Sequence, residues 1–135
     1  MMSLTKMTLA VVMAVGTSTG AASAQQSLRN ESYVTEGLIA VGIAFEISEV
    51  CPDIGARTLR GLNYLNQLRS HARGLGYSNA QIDDFRKDKA EKDRLEAIAR
   101  QRLANMGATP GDVASHCAVG RSEIAKESTI GYLLR

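Results

Sequence analysis

The sequence has no tryptophan, two cysteines, two prolines and two histidines in 135 residues. Two cysteines are too few for a four-cysteine zinc or iron–sulfur centre, and too few for a disulfide-dense scaffold. Nor are they spaced as C-x-x-C, so the redox-pair and c-type haem signatures are missing as well. There is no H-E-x-x-H, no G-x-S-x-G, no Walker or dinucleotide glycine loop and no EF-hand loop. No isolated pair of carboxylates sits in an apolar setting, as acid–base chemistry would require. Sixteen basic residues against fourteen acidic ones leave a formal charge of +2, which excludes a strongly basic nucleic-acid coat and an acidic disordered tail. No alternating run is long enough for a strand, and there is neither an internal repeat nor a low-complexity linker. The sequence therefore assigns no metal, no cofactor and no catalytic residue.

What is present begins with an address. Lys6 precedes an apolar run from Met7 to Val15, and small residues then lead to Ala22-Ser23-Ala24. That order is the charged, apolar and A-x-A sequence of a cleavable signal peptide at residues 1–24, with cleavage expected after Ala24. The run is about half of the roughly 20 residues that a transmembrane helix needs. No cysteine stands near the cleavage point to accept lipid, and no twin arginine is present. The expected product is a periplasmic or secreted chain without a transmembrane segment, a single helical domain over residues 25–135. Removing the leader takes away Lys6 and four of the five methionines, leaving 15 basic against 14 acidic residues. Leu, Ile, Val and Phe are then 26 of 111 residues, enough for a thin core that a covalent staple would help.

The periodicity predicts an all-α fold, a bundle of about four helices. The first runs from Ser32 to Cys51 and stops at Pro52. Its apolar residues occupy most of the circumference, the mark of a central helix. Gly37 and Gly42 weaken it intrinsically, and their expected use is close approach of a neighbour. The second helix is expected from an Asp53 cap to the Gly74-Leu75-Gly76 stop, with leucines at intervals of three that wind round it and imply more than one neighbour. The third has the clearest start: Ser78-Asn79-Ala80-Gln81 is a capping box, with Tyr77 and Ile82 as its hydrophobic staple. It is predicted to continue to Met106. The fourth opens at Thr109-Pro110-Gly111-Asp112 and places Val113, Cys117, Gly120 and Ile124 on one face. A short last turn is expected from Ser128 to Leu134.

In an exported chain, two cysteines are read first as one disulfide, Cys51–Cys117. His116 stands beside Cys117, but adjacent residues on a helix diverge by 100° and make no nucleophile–base pair. Two charged features remain. Along the second helix, Arg57, Arg60, Tyr64, Gln67 and His71 share one face, so Arg57, Arg60, Tyr64 and His71 are candidates to bind a carboxylate or phosphate. The simpler reading is a solvated face partly neutralised by Glu46 and Glu49. Residues 83–94 hold ten charges, five of each sign, which suits a solvated helix with i,i+4 pairs better than a phosphate site. Asp88 and Lys92 interrupt its apolar stripe, so with Lys89 they form a candidate partner surface on a segment expected to project beyond the core.

Cys51-Pro52, Ala56-Arg57, Tyr64-Leu65, Ala72-Arg73, Gly76-Tyr77-Ser78 and the run His116-Cys117-Ala118-Val119-Gly120-Arg121 stand in a recognisable order, followed by Glu123-Ile124-Ala125 and Ile130-Gly131-Tyr132-Leu133-Leu134. The chain resembles, over nearly all its length beyond the leader, a family of small exported alphaproteobacterial proteins defined only as domain of unknown function 5333. The resemblance implies export, paired cysteines and one domain, and it brings no catalytic or binding residues with it. The function expected is that of a non-enzymatic interaction or accessory protein of the cell envelope, with an envelope protein as partner. The alternatives are a small-anion binder using the arginine face and, as the resemblance implies, an accessory factor of a respiratory complex.

Overall fold

The computed structural model describes residues 26–135, so the expected leader lies outside the described residues. A 3-10 turn (Leu28–Asn30) leads into six α-helices among the described residues: α1 (Ser32–Val50), α2 (Thr58–Gly74), α3 (Asn79–Lys87), α4 (Lys89–Asn105), α5 (Val113–Ala125) and α6 (Thr129–Tyr132). Helix α1 is the axis and touches α2, α4, α5 and α6. Its buried positions include Val34, Ile39, Ile43, Ala44 and Ile47, too broad a set for one stripe, as its sequence predicts. The two glycines serve close approach. A Cβ on Gly37 would lie 2.6 Å from a methyl of Leu68 in α2, and one on Gly42 would meet the Ala99 Cβ of α4 at 3.4 Å.

The main core lies where α1 meets α4, α5 and the C-terminal residues, around Ile43, Ile47, Leu103, Val119 and Leu134. Full burial of a side chain such as Ile47 contributes about 1.5–3 kcal/mol. The Cys51–Cys117 disulfide is inside this core and ties the end of α1 to the middle of α5, with 5.2 Å between the Cα atoms. A second cluster gathers Leu28, Val34, Ala72, Tyr77 and Ile82 under α3. Here the predicted capping box is complete: Ser78 Oγ accepts from the Gln81 N–H and the Gln81 side chain accepts from the Ser78 N–H. Its staple residues Tyr77 and Ile82 belong to the same buried cluster.

Three predicted boundaries are corrected. The third predicted helix is two, because Asp88 adopts an extended conformation (ψ 108°) and its carboxylate caps α4 by accepting from the Glu91 N–H at 3.2 Å. The break lets α3 turn Ile82 and Phe85 onto the second cluster while α4 sends Ala99 and Leu103 into the first. Helix α2 starts at Thr58 rather than after Asp53. The preceding main chain pairs with the C-terminus instead: Gly55 and Arg135 exchange N–H···O bonds at 2.9 Å each, and the Arg57 N–H donates to Leu133 O at 2.8 Å. Helix α5 is capped by Asp112, not Thr109, since Gly111 takes a left-handed conformation (φ 79°) that a helix cannot include. The final turn is present as α6, with Ser128 Oγ accepting from the Gly131 N–H.

Candidate functional site

The arginine face of α2 is divided in use. Arg57 Nε donates to Leu134 O at 2.8 Å and Arg60 donates to Tyr132 O at 3.3 Å, with its guanidinium 4.7 Å from the Tyr132 ring centre. Both cations therefore hold the C-terminal segment onto α2, and Glu46 and Glu49 take no part. Tyr64 turns toward α1, where burial pushes its phenol above the ordinary value and the neighbouring Tyr33 adds to the shift. The His71 ring stacks obliquely on Tyr33, with 4.1 Å between centroids. The four residues do not converge on one point. Only Tyr64 lines the adjoining hollow, an open depression of about 660 Å³ that also includes Tyr33, Glu36, Arg102 and Ile130. Within it Arg102 grips Glu36 through both nitrogens, which holds the Glu36 carboxyl below its usual range.

The mixed-charge segment is likewise redistributed. Lys89 and Asp93 form the expected i,i+4 pair at 2.6 Å. Asp83 and Asp88 do not pair with Lys87 and Lys92 as the spacing predicts. Asp83 accepts from Arg69 of α2 at 3.1 Å, which lowers its carboxyl pKa, and Asp88 is the α4 cap. Part of the segment packs inward. Glu91 is buried near the start of α4, where it meets Arg29 at 3.3 Å and Arg94 at 2.9 Å. The Asp88-Lys89-Ala90-Glu91 pattern is the sequence signal for this start, an N-terminal cap followed three residues later by an acid.

Between α2 and α4, on the surface of α1, lies an apolar groove that no local sequence motif marks. Leu38, Val41 and Phe45 form its floor, Leu62 and Leu65 one wall, Phe85 and Leu95 the other, and the volume is about 670 Å³. Phe45 is 59% exposed, Leu62 54% and Leu65 37%. Leu62 and Leu65 belong to the leucines expected to meet several neighbours, and Leu59 is more exposed still; none of the three is buried. Of the three candidate partner residues, Lys92 lines the groove, whereas Asp88 and Lys89 lie outside it. A groove of this size and lining has the character of a binding site for an apolar ligand or partner segment.

His116 is buried, with Nδ1 2.7 Å from Asp112 O, and Cys117 is spent in the disulfide. Among the described residues no group of three or more His, Cys, Asp and Glu side chains is placed to hold a metal ion, and no helix is long and apolar enough to cross a membrane.

Fold and groove together define a small, disulfide-stapled all-α domain with an apolar groove left open among the described residues. The chain belongs to a family of unknown function, DUF5333, whose model matches residues 26–135. No curated protein and no solved structure matches it.

Proposed function

We propose that this protein is an exported, non-enzymatic accessory protein of the cell envelope that acts by binding through the groove between α1, α2 and α4. The observation that carries the reading is the cluster of Phe45, Leu62 and Leu65, large apolar side chains left in water around an open groove. Such a patch costs solubility, and soluble chains rarely keep one unless something docks there. Export is supported by the buried Cys51–Cys117 disulfide, which suits an oxidising compartment, and by a family match that begins just past the expected cleavage point. The small-anion alternative gains nothing from the arginine face, because Arg57 and Arg60 already donate to main-chain carbonyls.

The test is site-specific photo-crosslinking in the native host. A photoreactive residue at Phe45 or Leu65 is expected to give a discrete adduct in the soluble envelope fraction. The same residue at Leu59 or Val113, both exposed outside the groove, is expected to give none. Equal labelling from all four positions, or none from the groove, would contradict the proposal.

A further inference from the structure

We infer that the groove takes a single-chain anionic amphiphile, an acyl tail ending in a carboxylate or phosphate. The inference rests on the reading of the groove as a binding face and adds the chemistry of its occupant. The lining combines a long apolar floor with a rim of unequal charge. Five ionisable side chains line it: Arg69, Arg86, Lys92, Glu91 and Glu96. Three have ionic partners. Arg69 is bonded to Asp83, Glu91 to Arg29 and Arg94, and Glu96 lies 4.0 Å from Arg100. The two without an ion pair among the described residues, Arg86 and Lys92, are both cations.

That imbalance has a structural origin. Lys92 would ordinarily pair with Asp88 one turn back, but Asp88 is engaged in capping α4. Arg86 has Asp83 one turn back and acts on it only at a distance, because that carboxylate is bonded to Arg69. Two exposed positive charges thus stand on the α3 and α4 walls, beside Phe85 and Leu95. The apolar floor extends from Leu38 to Phe45 along α1, roughly 10 Å at 1.5 Å per residue, an elongated track that suits part of an acyl chain better than a compact solute. Burial of the tail supplies most of the affinity, because every methylene taken out of water adds to it. The cations select the charged head, and an anion at Lys92 restores the partner that the helix break removed.

The purified, oxidised protein is titrated calorimetrically with hexadecanoate below its micellar concentration, and in parallel with lysophosphatidate and uncharged hexadecanol. Saturable one-to-one binding of hexadecanoate or lysophosphatidate is expected, and the tighter of the two tells a free fatty acid from a lipid headgroup. Leu65→Glu and, as a second groove variant, Phe45→Ser should each weaken binding by about tenfold or more with the unfolding midpoint retained, since both side chains already meet solvent. The double variant Arg86→Glu/Lys92→Glu should weaken hexadecanoate by about fivefold or more and change hexadecanol by less than about twofold. Absence of saturable binding, unchanged affinity in the groove variants, or equal affinity for hexadecanol and hexadecanoate would each overturn the inference. If neither hexadecanoate nor lysophosphatidate binds while Leu65 still gives its specific photo-adduct, the amphiphile is wrong and the groove reading stands; loss of both the binding and the adduct removes both.

Discussion

Cys51 and Cys117 are joined inside the main core across a sequence separation of 66, fixing the end of α1 to the middle of α5. Closing a loop of this length restricts the unfolded chain by about 4 kcal/mol on the chain-entropy model. Against the 5–15 kcal/mol usual for a domain, that is a large share. Replacing both cysteines with alanine is expected to lower the unfolding free energy by about 2–4 kcal/mol, read from the midpoint of a urea transition. An unchanged midpoint would mean that the bond adds nothing to a core already sufficient.

Gly131 packs against the main chain of α5 so closely that a Cβ would lie 2.0 Å from Glu123 O. Main chain cannot swing aside as a side chain can. Gly131→Ala is therefore expected to destabilise by about 1–3 kcal/mol through overpacking. Gly61→Ala, in α2 with nothing within 4 Å of the added carbon, is expected to stabilise by about 0.5–1 kcal/mol. Thermal melts of the pair should move in opposite directions.

Arg57 joins α2 to the C-terminus through its side chain and its main-chain N–H. Arg57→Ala should cost about 1.5–3 kcal/mol, as expected for a hydrogen bond from a charged donor. Amide exchange at Gly55 and Arg135 should rise with it, because the two residues pair across the same joint. Arg60→Ala, which removes a longer and more exposed contact, should have a smaller effect on the same amides.

The Arg69–Asp83 and Arg102–Glu36 pairs join α2 to α3 and α4 to α1. The arginine beside each carboxyl lowers its pKa in the folded protein, so the folded state binds fewer protons than the unfolded one. The stabilisation is complete above the ordinary carboxylate value of about 4 and is lost as pH falls below it through the lowered folded pKa. Stability should be level from pH 7 to about 5 and should decline in more acidic solution. Arg69→Ala should flatten part of that decline. Both pairs are exposed, so the effect should be small and should shrink in high salt.

Much of this fold was legible because its signals are local. The all-round apolar pattern of α1, the Ser78 capping box and the Gly74-Leu75-Gly76 stop each depend on a few neighbouring residues, and each has its counterpart in the structure. The disulfide followed from an even cysteine count and the expected compartment. The errors fall where a local signal competed with another, or with a distant partner. Asp88 reads as a solvated charge in a long helix until its spacing from Glu91 is taken as a cap. Asp53 loses its helix start because Gly55 and Arg57 bond to residues about 80 positions away, which no periodicity reveals. The groove is the absence of packing between α2 and α4, and sequence shows an absence only indirectly. Its trace was the surplus: a first helix apolar on nearly every side and a second whose leucines wind round it, with too few partners for Phe45, Leu62 and Leu65.

The groove as the seat of an anionic amphiphile is tested most directly by methyl NMR of the oxidised protein during titration with hexadecanoate. Shifts are expected at Leu38, Val41, Leu62, Leu65 and Leu95, with Ile54 and Leu133 in the opposite core unmoved. Shifts confined to the Ile54 and Leu133 side, or a spectrum unchanged at saturating ligand, would contradict it.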